Sequence, residues 1–168
     1  MELTCEARDR RRLWAAGAIA LVVLVIDFLT KAWVHQHLPL MHTHEAFPYG
    51  GLPVFKNLFG VEFSISHLTN RGAAWGTLGD YQVPLVAVRI VLILGMIAYL
   101  AFFNKRASWT FPLALITAGA IGNVVDYFLY GHVVDMFHFI LWGYDFPVFN
   151  VADAAVSLGI FWIILFAA

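Results

Sequence analysis

Four apolar stretches, each about long enough to cross a bilayer, leave this chain few soluble folds to choose from. A transmembrane helix needs about 20 mostly apolar residues, and residues 13–34, 83–103, 109–130 and 149–168 all meet that length. Composition agrees: 61% of the 168 residues are hydrophobic, 12% are charged, and mean hydropathy is +0.78. Soluble domains carry roughly 45–50% apolar and about 25% charged residues. A water-soluble core of this size could not hide the excess. Length suits one domain over residues 1–168. The expected fold is an all-α membrane protein, with four transmembrane helices and a small extracytoplasmic β-sheet and loop region.

The basic residues set the orientation. Arg8, Arg10, Arg11 and Arg12 precede the first stretch, and Lys105 and Arg106 separate the second from the third. Positive charge in short loops favours the cytoplasmic side. Both termini are then cytoplasmic, in a multi-pass protein of the inner, cytoplasmic membrane. The first stretch is too long for a cleavable h-region of about 7–15 residues and runs on through Ile26 into Asp27-Phe28-Leu29-Thr30-Lys31, so it reads as a retained helix. The arginine run matches a twin-arginine signal only weakly. The outer loop, residues 35–82, carries Pro39, Pro48, Gly50, Gly51 and Pro53, which break helices. From Val61 to Leu68 polar and apolar residues roughly alternate, the period of a strand.

A net charge of −1 lacks the basic footprint of a nucleic-acid binder. The single cysteine, Cys5, excludes an intrachain disulfide. Leu3-Thr4-Cys5 faintly matches a lipobox, but no apolar segment precedes it, so Cys5 reads as a cytoplasmic thiol.

An ionisable residue inside a span is costly and marks function by default. With the orientation above, Asp27, Lys31, Arg89, Asp126, Asp135 and Asp153 fall in the outer halves of their spans or at the outer ends. Polar groups from all four spans converge at one depth. Asp27 and Lys31 are spaced i, i+4 and can pair, which a structural ion pair would explain. Asn123 and Asp126 are spaced i, i+3, as are Asn150 and Asp153. An Asn beside an Asp can hold the carboxylate or simply join two helices. Ala114, Ala118 and Gly122, with Gly119 alongside, suit close helix packing. Two carboxylates at one depth suggest aspartic-protease chemistry, in which close carboxylates share one proton. The ionised member takes a proton from water and the protonated member donates to the scissile carbonyl. Residue reasoning alone does not rank Asp126, Asp135 and Asp153.

Four segments in order resemble the lipoprotein signal peptidase (type II signal peptidase) family. Asp27-Phe28-Leu29-Thr30-Lys31 is similar to its D-x-x-[ST]-K segment, and Asn70-Arg71-Gly72-Ala73-Ala74-Trp75-Gly76 to its N-x-G-A-A-[FW]-[GS] segment. Gly119-Ala120-Ile121-Gly122-Asn123-Val124-Val125-Asp126, with Gly131-His132-Val133-Val134-Asp135-Met136, resembles G-A-[IL]-G-N-x-x-D-R…G-x-V-x-D-[FM]. Phe149-Asn150-Val151-Ala152-Asp153 resembles F-N-x-A-D. The resemblance covers nearly the whole chain. It implies Asp135 and Asp153 as catalytic aspartates, with supporting roles for Asp27, Lys31, Asn70, Gly72, Asn123, Asp126, Asn150 and Ala152. It implies cleavage of diacylglyceryl-modified bacterial prolipoproteins just before the lipidated Cys, no metal or cofactor, and inhibition by globomycin-type peptides. Prolipoproteins and membrane lipids are the expected partners, and nucleic acid is not. One position departs: Tyr127 stands where the family has Arg. That would leave Asp126 without its usual neighbour, and Arg89 or Arg71 is expected to supply the guanidinium instead.

Other constellations suggest less. His35, His37, His42 and His44 could bind zinc, with Glu45 adjacent, but no H-E-x-x-H pattern accompanies them. They read as headgroup-zone residues with Trp33 and Tyr49. His132 and His138 flank Asp135 without an activated Ser and read as interfacial loop residues. Asp145 reads as a solvated turn residue, and Asp80 as a helix N-cap. Two rival functions stand: a small proton-coupled transporter, disfavoured by purely apolar inner halves, and an inactive or altered paralogue that binds signal helices, which Tyr127 favours and both retained aspartates oppose.

Overall fold

The computed structural model describes residues 2–41, 46–71 and 82–167, with side chains from residue 10 to residue 166. His42, His44, Glu45, Gly72, Asp80 and the side chains of Cys5 and Arg8 lie outside the described residues.

The apolar stretches become helices α1 (Glu2–His37), α2 (Gln82–Ala98), α3 (Ala107–Tyr130) and α4 (Val151–Trp162). A π-helical turn extends α2 over Tyr99–Phe103, and another extends α4 over Ile163–Ala167. Arg10–His37, Gln82–Phe103 and Ala107–Tyr130 are long and apolar enough to cross a membrane; Val151–Phe166 is a shorter apolar helix. The fourth helix starts later than residue 149 because Phe149 is bonded elsewhere. Its carbonyl accepts the Phe137 N–H at 2.8 Å, and its N–H donates to the Phe137 carbonyl at 3.3 Å. The helices present apolar side chains outward: Leu21 is 62% exposed and Val91 68%. Asp27, Lys31, Asp126 and Asn150 are buried. Apolar outside and polar inside is the distribution that a lipid solvent favours.

Four strands form one antiparallel sheet in the order β1 (Leu52–Leu58), β2 (Val61–Asn70), β3 (Val133–Leu141) and β4 (Tyr144–Asp145). The expected alternation over residues 61–68 becomes most of β2. The other half of the sheet was read as interfacial loop, and the structure corrects this. Residues 133–141 are rich in Val, Phe and Ile, which suit a strand packed on both sides. They lack a clean period because both faces are covered. Trp142 and Gly143 have φ of 50° and 83°, the double positive φ of a two-residue type I′ hairpin turn. The Trp142 side chain holds the neighbouring turn: Nε1 donates to the Phe59 carbonyl at 3.0 Å, and its ring lies 2.6 Å from where a Cβ on Gly60 would stand.

Two compact units make up the chain. The first comprises Met1–Ile26, Ala87–Val124 and Val151–Ala168. There α3 and α4 approach closely. A Cβ on Gly119 would collide with the Ala152 carbonyl oxygen, and one on Gly159 would stand 2.6 Å from the Pro112 carbonyl oxygen. Ala114 and Ala118 are buried beside this line, as the small-residue spacing predicts. The second unit comprises Asp27–Val86 and Val125–Asn150. Its apolar core is Val34 from α1 with Val134 and Met136 from β3, flanked by Ile65.

Candidate active site

The β2–β3 register carries the first element of the site. Leu68 faces Asp135 across the ladder and Asn70 faces Val133, so Asn70 lies one step diagonal to Asp135. Asn70 Nδ2 donates to Asp135 Oδ2 at 3.2 Å. Asn150, directly before α4, donates from Nδ2 to Asp135 Oδ1 at 2.7 Å and to the Val134 carbonyl at 3.3 Å. Each oxygen of a carboxylate only 1% exposed thus receives one amide N–H. Amide donors on both oxygens fix the carboxylate plane. A cavity of about 480 Å³ opens beside it, lined by Asn70, Asp135, Thr69, Phe146 and Pro147 among others. That volume lies within the usual range of ligand pockets.

A second cluster supports the strand. Lys31 Nζ lies 2.8 Å from Asp27 Oδ2 and 2.9 Å from Asp126 Oδ2, and all three side chains are buried. Asp126 Oδ2 also accepts the Val134 backbone N–H at 3.1 Å. One lysine therefore ties α1 to α3, and α3 in turn holds β3 at the residue before Asp135. Asp126 serves as scaffold. Tyr127 does not strip it of a cation, because Lys31 is that cation. Of the two arginines expected to serve the site, Arg71 is exposed; Tyr127 packs its ring against Phe128 at 5.4 Å.

Within the first unit, Asn123 of α3 donates from Nδ2 to Asp153 Oδ1 of α4 at 2.8 Å. Asp153 is half-buried, and Ala152 beside it is fully buried where Gly119 admits the α4 backbone. Of the two readings the i, i+3 pattern left open, a same-helix hold and a bond between elements, these bonds show the second. The structure crosses the pairs: Asn123 serves Asp153 and Asn150 serves Asp135. Sequence spacing sees only neighbours on one helix, and these bonds join different elements.

Residue reasoning missed a third cluster, along β3 and β4 of the same sheet. His138 is buried in β3, with Nε2 at 2.9 Å from Asp145 Oδ1. The Tyr49 ring lies 4.5 Å from the imidazole, and its hydroxyl donates to Glu62 Oε2 at 3.1 Å. Burial, with Glu62 and Asp145 nearby, pushes the Tyr49 phenol above its ordinary range. His138 is thus a strand residue paired with Asp145, which is itself exposed but not merely solvated. The alternation over residues 61–68 was the available signal, since β2 needs a partner strand.

Comparison with known proteins gives the family. A family profile described as "Signal peptidase (SPase) II" matches residues 19–168. The Clostridium tetani lipoprotein signal peptidase is 38% identical over 88% of this chain and 88% of its own length. That of Psychromonas ingrahamii is 35% identical over 92% of this chain and 82% of its own. That of Chlamydia pneumoniae is 48% identical over a shorter region, 58% of this chain and 59% of its own. A solved bacterial membrane enzyme, determined by the in meso method, superposes with a TM-score of 0.72 at 27% identity, covering 90% of both chains. The matched residues span α2 to α4, the whole sheet and all the polar clusters, so this chain is a peptidase of the signal peptidase II family.

Proposed function

We propose that this chain is an intramembrane aspartic endopeptidase that removes signal peptides from diacylglyceryl-modified bacterial prolipoproteins, cutting just before the lipidated Cys. The observation that carries this reading is the amide cradle of Asp135: a buried carboxylate held through both oxygens beside a cavity. Asp135 and Asp153 are the catalytic pair. One is ionised and takes a proton from water as the water oxygen attacks the scissile carbonyl. The other gives its proton to the carbonyl oxygen. Collapse of the tetrahedral intermediate breaks the C–N bond, and a carboxyl proton goes to the leaving amine. Asn70, Asn150 and Asn123 orient the carboxylates. Gly72 belongs to the substrate-binding segment after Asn70.

The chain acts as one peptidase of the inner membrane, crossing it four times with both termini cytoplasmic and the reaction on the outer side. The arginines at 10–12 and the Lys105-Arg106 turn support that orientation. Globomycin-type peptides are expected to compete for the site. Neither a metal nor a cofactor enters the chemistry.

The test is a processing assay with purified protein in detergent and a diacylglyceryl-modified prolipoprotein. The parent should release the signal peptide, and Asp135→Asn and Asp153→Asn should not. Product from either variant at the parent rate removes that residue from the pair. No product from a folded parent favours the altered paralogue.

A further inference from the structure

Three histidines far apart in sequence meet in the second unit: His35 in the last turn of α1, His67 in β2 and His132 in the turn before β3. Each offers one ring nitrogen, and these nitrogens lie within 4.8 Å of one another. The ring of His35 is 5.4 Å from that of His67 and 6.0 Å from that of His132. We propose that His35, His67 and His132 bind a late first-row divalent cation of the zinc type.

The chemistry of the donors supports this in three ways. First, the tautomers suit a metal. The Nδ1–H of His67 donates to the Leu38 carbonyl at 2.9 Å, which makes Nε2 the lone-pair nitrogen of the neutral ring. A ring N–H bonded to a backbone carbonyl is the usual outer support of a metal-binding His. On His132, Nε2 is buried without a hydrogen-bond partner among the described residues. Second, the three rings are withdrawn from solvent: His67 is buried, and His35 and His132 are half-buried. Third, the spacing is close to what an ion demands. Bonds of about 2.1 Å in tetrahedral geometry place nitrogens about 3.4 Å apart, and turning rings at the ends of α1 and of the α3–β3 turn covers the difference. Imidazole donors suit Zn, Cu or Ni rather than Mg or Ca. Three protein ligands leave a fourth position for water.

Sequence weighed His35, His37, His42 and His44 for zinc and read them as headgroup-zone residues; only His35 of that set belongs to this cluster. His37 does not take part; its Nδ1–H donates to the Trp33 carbonyl at 2.9 Å and its ring stacks on Trp33. A bound ion would join α1 to β2 and to the start of β3, the strands that carry Asn70 and Asp135. Its role is to hold that ladder, independently of whether the dyad assignment is right.

The test uses the full chain in detergent, without a polyhistidine tag, stripped with chelator and titrated with Zn²⁺ against a chromophoric competitor. The parent should bind one equivalent. Zn²⁺ at about a hundredfold over Kd should raise the unfolding midpoint by roughly 5–10 °C. His35→Gln and His132→Gln should each weaken binding at least about tenfold, while His37→Gln should bind as the parent does. Co²⁺ should give visible bands of a low-coordinate nitrogen site, and His132→Cys should add a thiolate charge-transfer band. That last readout needs only the metal-loaded form, so it stands even if a glutamine variant folds poorly. No stoichiometric binding by the folded parent, or binding unchanged in both glutamine variants, overturns the proposal.

Discussion

Replacing Lys31 with Met should unsettle this protein more than any other single change to its charged residues. The side chain is fully buried and contacts two carboxylates, at 2.8 Å and 2.9 Å. Methionine fills a similar volume but leaves Asp27 and Asp126 as buried like charges without the ammonium that lies between them. Removing one partner of a buried pair costs about 3–5 kcal/mol, a factor of roughly 10²–10³ or more in the folding equilibrium. Since Asp126 also holds the Val134 N–H, the loss reaches the residue before Asp135. Equilibrium unfolding in mixed detergent micelles would measure the change, with signal-peptide release followed in parallel. The decisive comparison is the double variant Lys31→Met with Asp126→Asn. If the cost is the stranded charge, the second substitution should recover at least about 1 kcal/mol rather than add to the loss. Strict additivity, or a Lys31→Met loss below about 1 kcal/mol, would refute this account of the cluster.

Three further outcomes follow from the geometry. Asn150→Ala removes the 2.7 Å bond to Asp135, a hydrogen bond to a charged group worth about 1.5–3 kcal/mol; kcat should fall about tenfold to a hundredfold with a smaller change in KM, measured on the prolipoprotein substrate. Gly119→Ala drives a methyl into the Ala152 backbone and should cost about 1–3 kcal/mol by overpacking, with α4 and hence Asp153 displaced, read as a lower unfolding midpoint and lower activity. Burial, then His35, His67 and Arg71, hold the His132 imidazole below the ordinary histidine range, so the unfolded chain takes the proton first as pH falls through about 6.5. Stability from the neutral ring is therefore complete above that pH and lost below it, and His132→Gln should flatten the acid side of the metal-free midpoint-versus-pH curve.

Much of the site could be located from residue order because membrane helices obey a one-dimensional rule. A charged group inside an apolar run is expensive wherever the run packs, so Asp27, Lys31, Asp126 and Asp153 stood out without any coordinates. The bounds of α2 and α3 came close for the same reason, while α1 begins well before the apolar stretch, at Glu2. The strand at residues 61–68 was legible from its alternation of polar and apolar types, although its Ser64 and Ser66 turn out to be buried. Its partner at residues 133–141 was not, because a strand covered on both faces has no alternation to read.

What the chain order determined, then, is which residues are costly and must be accommodated. Which partner accommodates each one was decided only in three dimensions. Spacing proposes i, i+3 and i, i+4 neighbours, and it was right for Asp27 with Lys31. It had no access to the lysine's second carboxylate on α3, to Asn123 reaching Asp153 and Asn150 reaching Asp135, or to three histidines drawn from residues 35, 67 and 132. Those pairings depend on strand register and helix approach. Register arises from side chains meeting across a ladder, and close approach from glycines whose missing Cβ matters only once another backbone arrives.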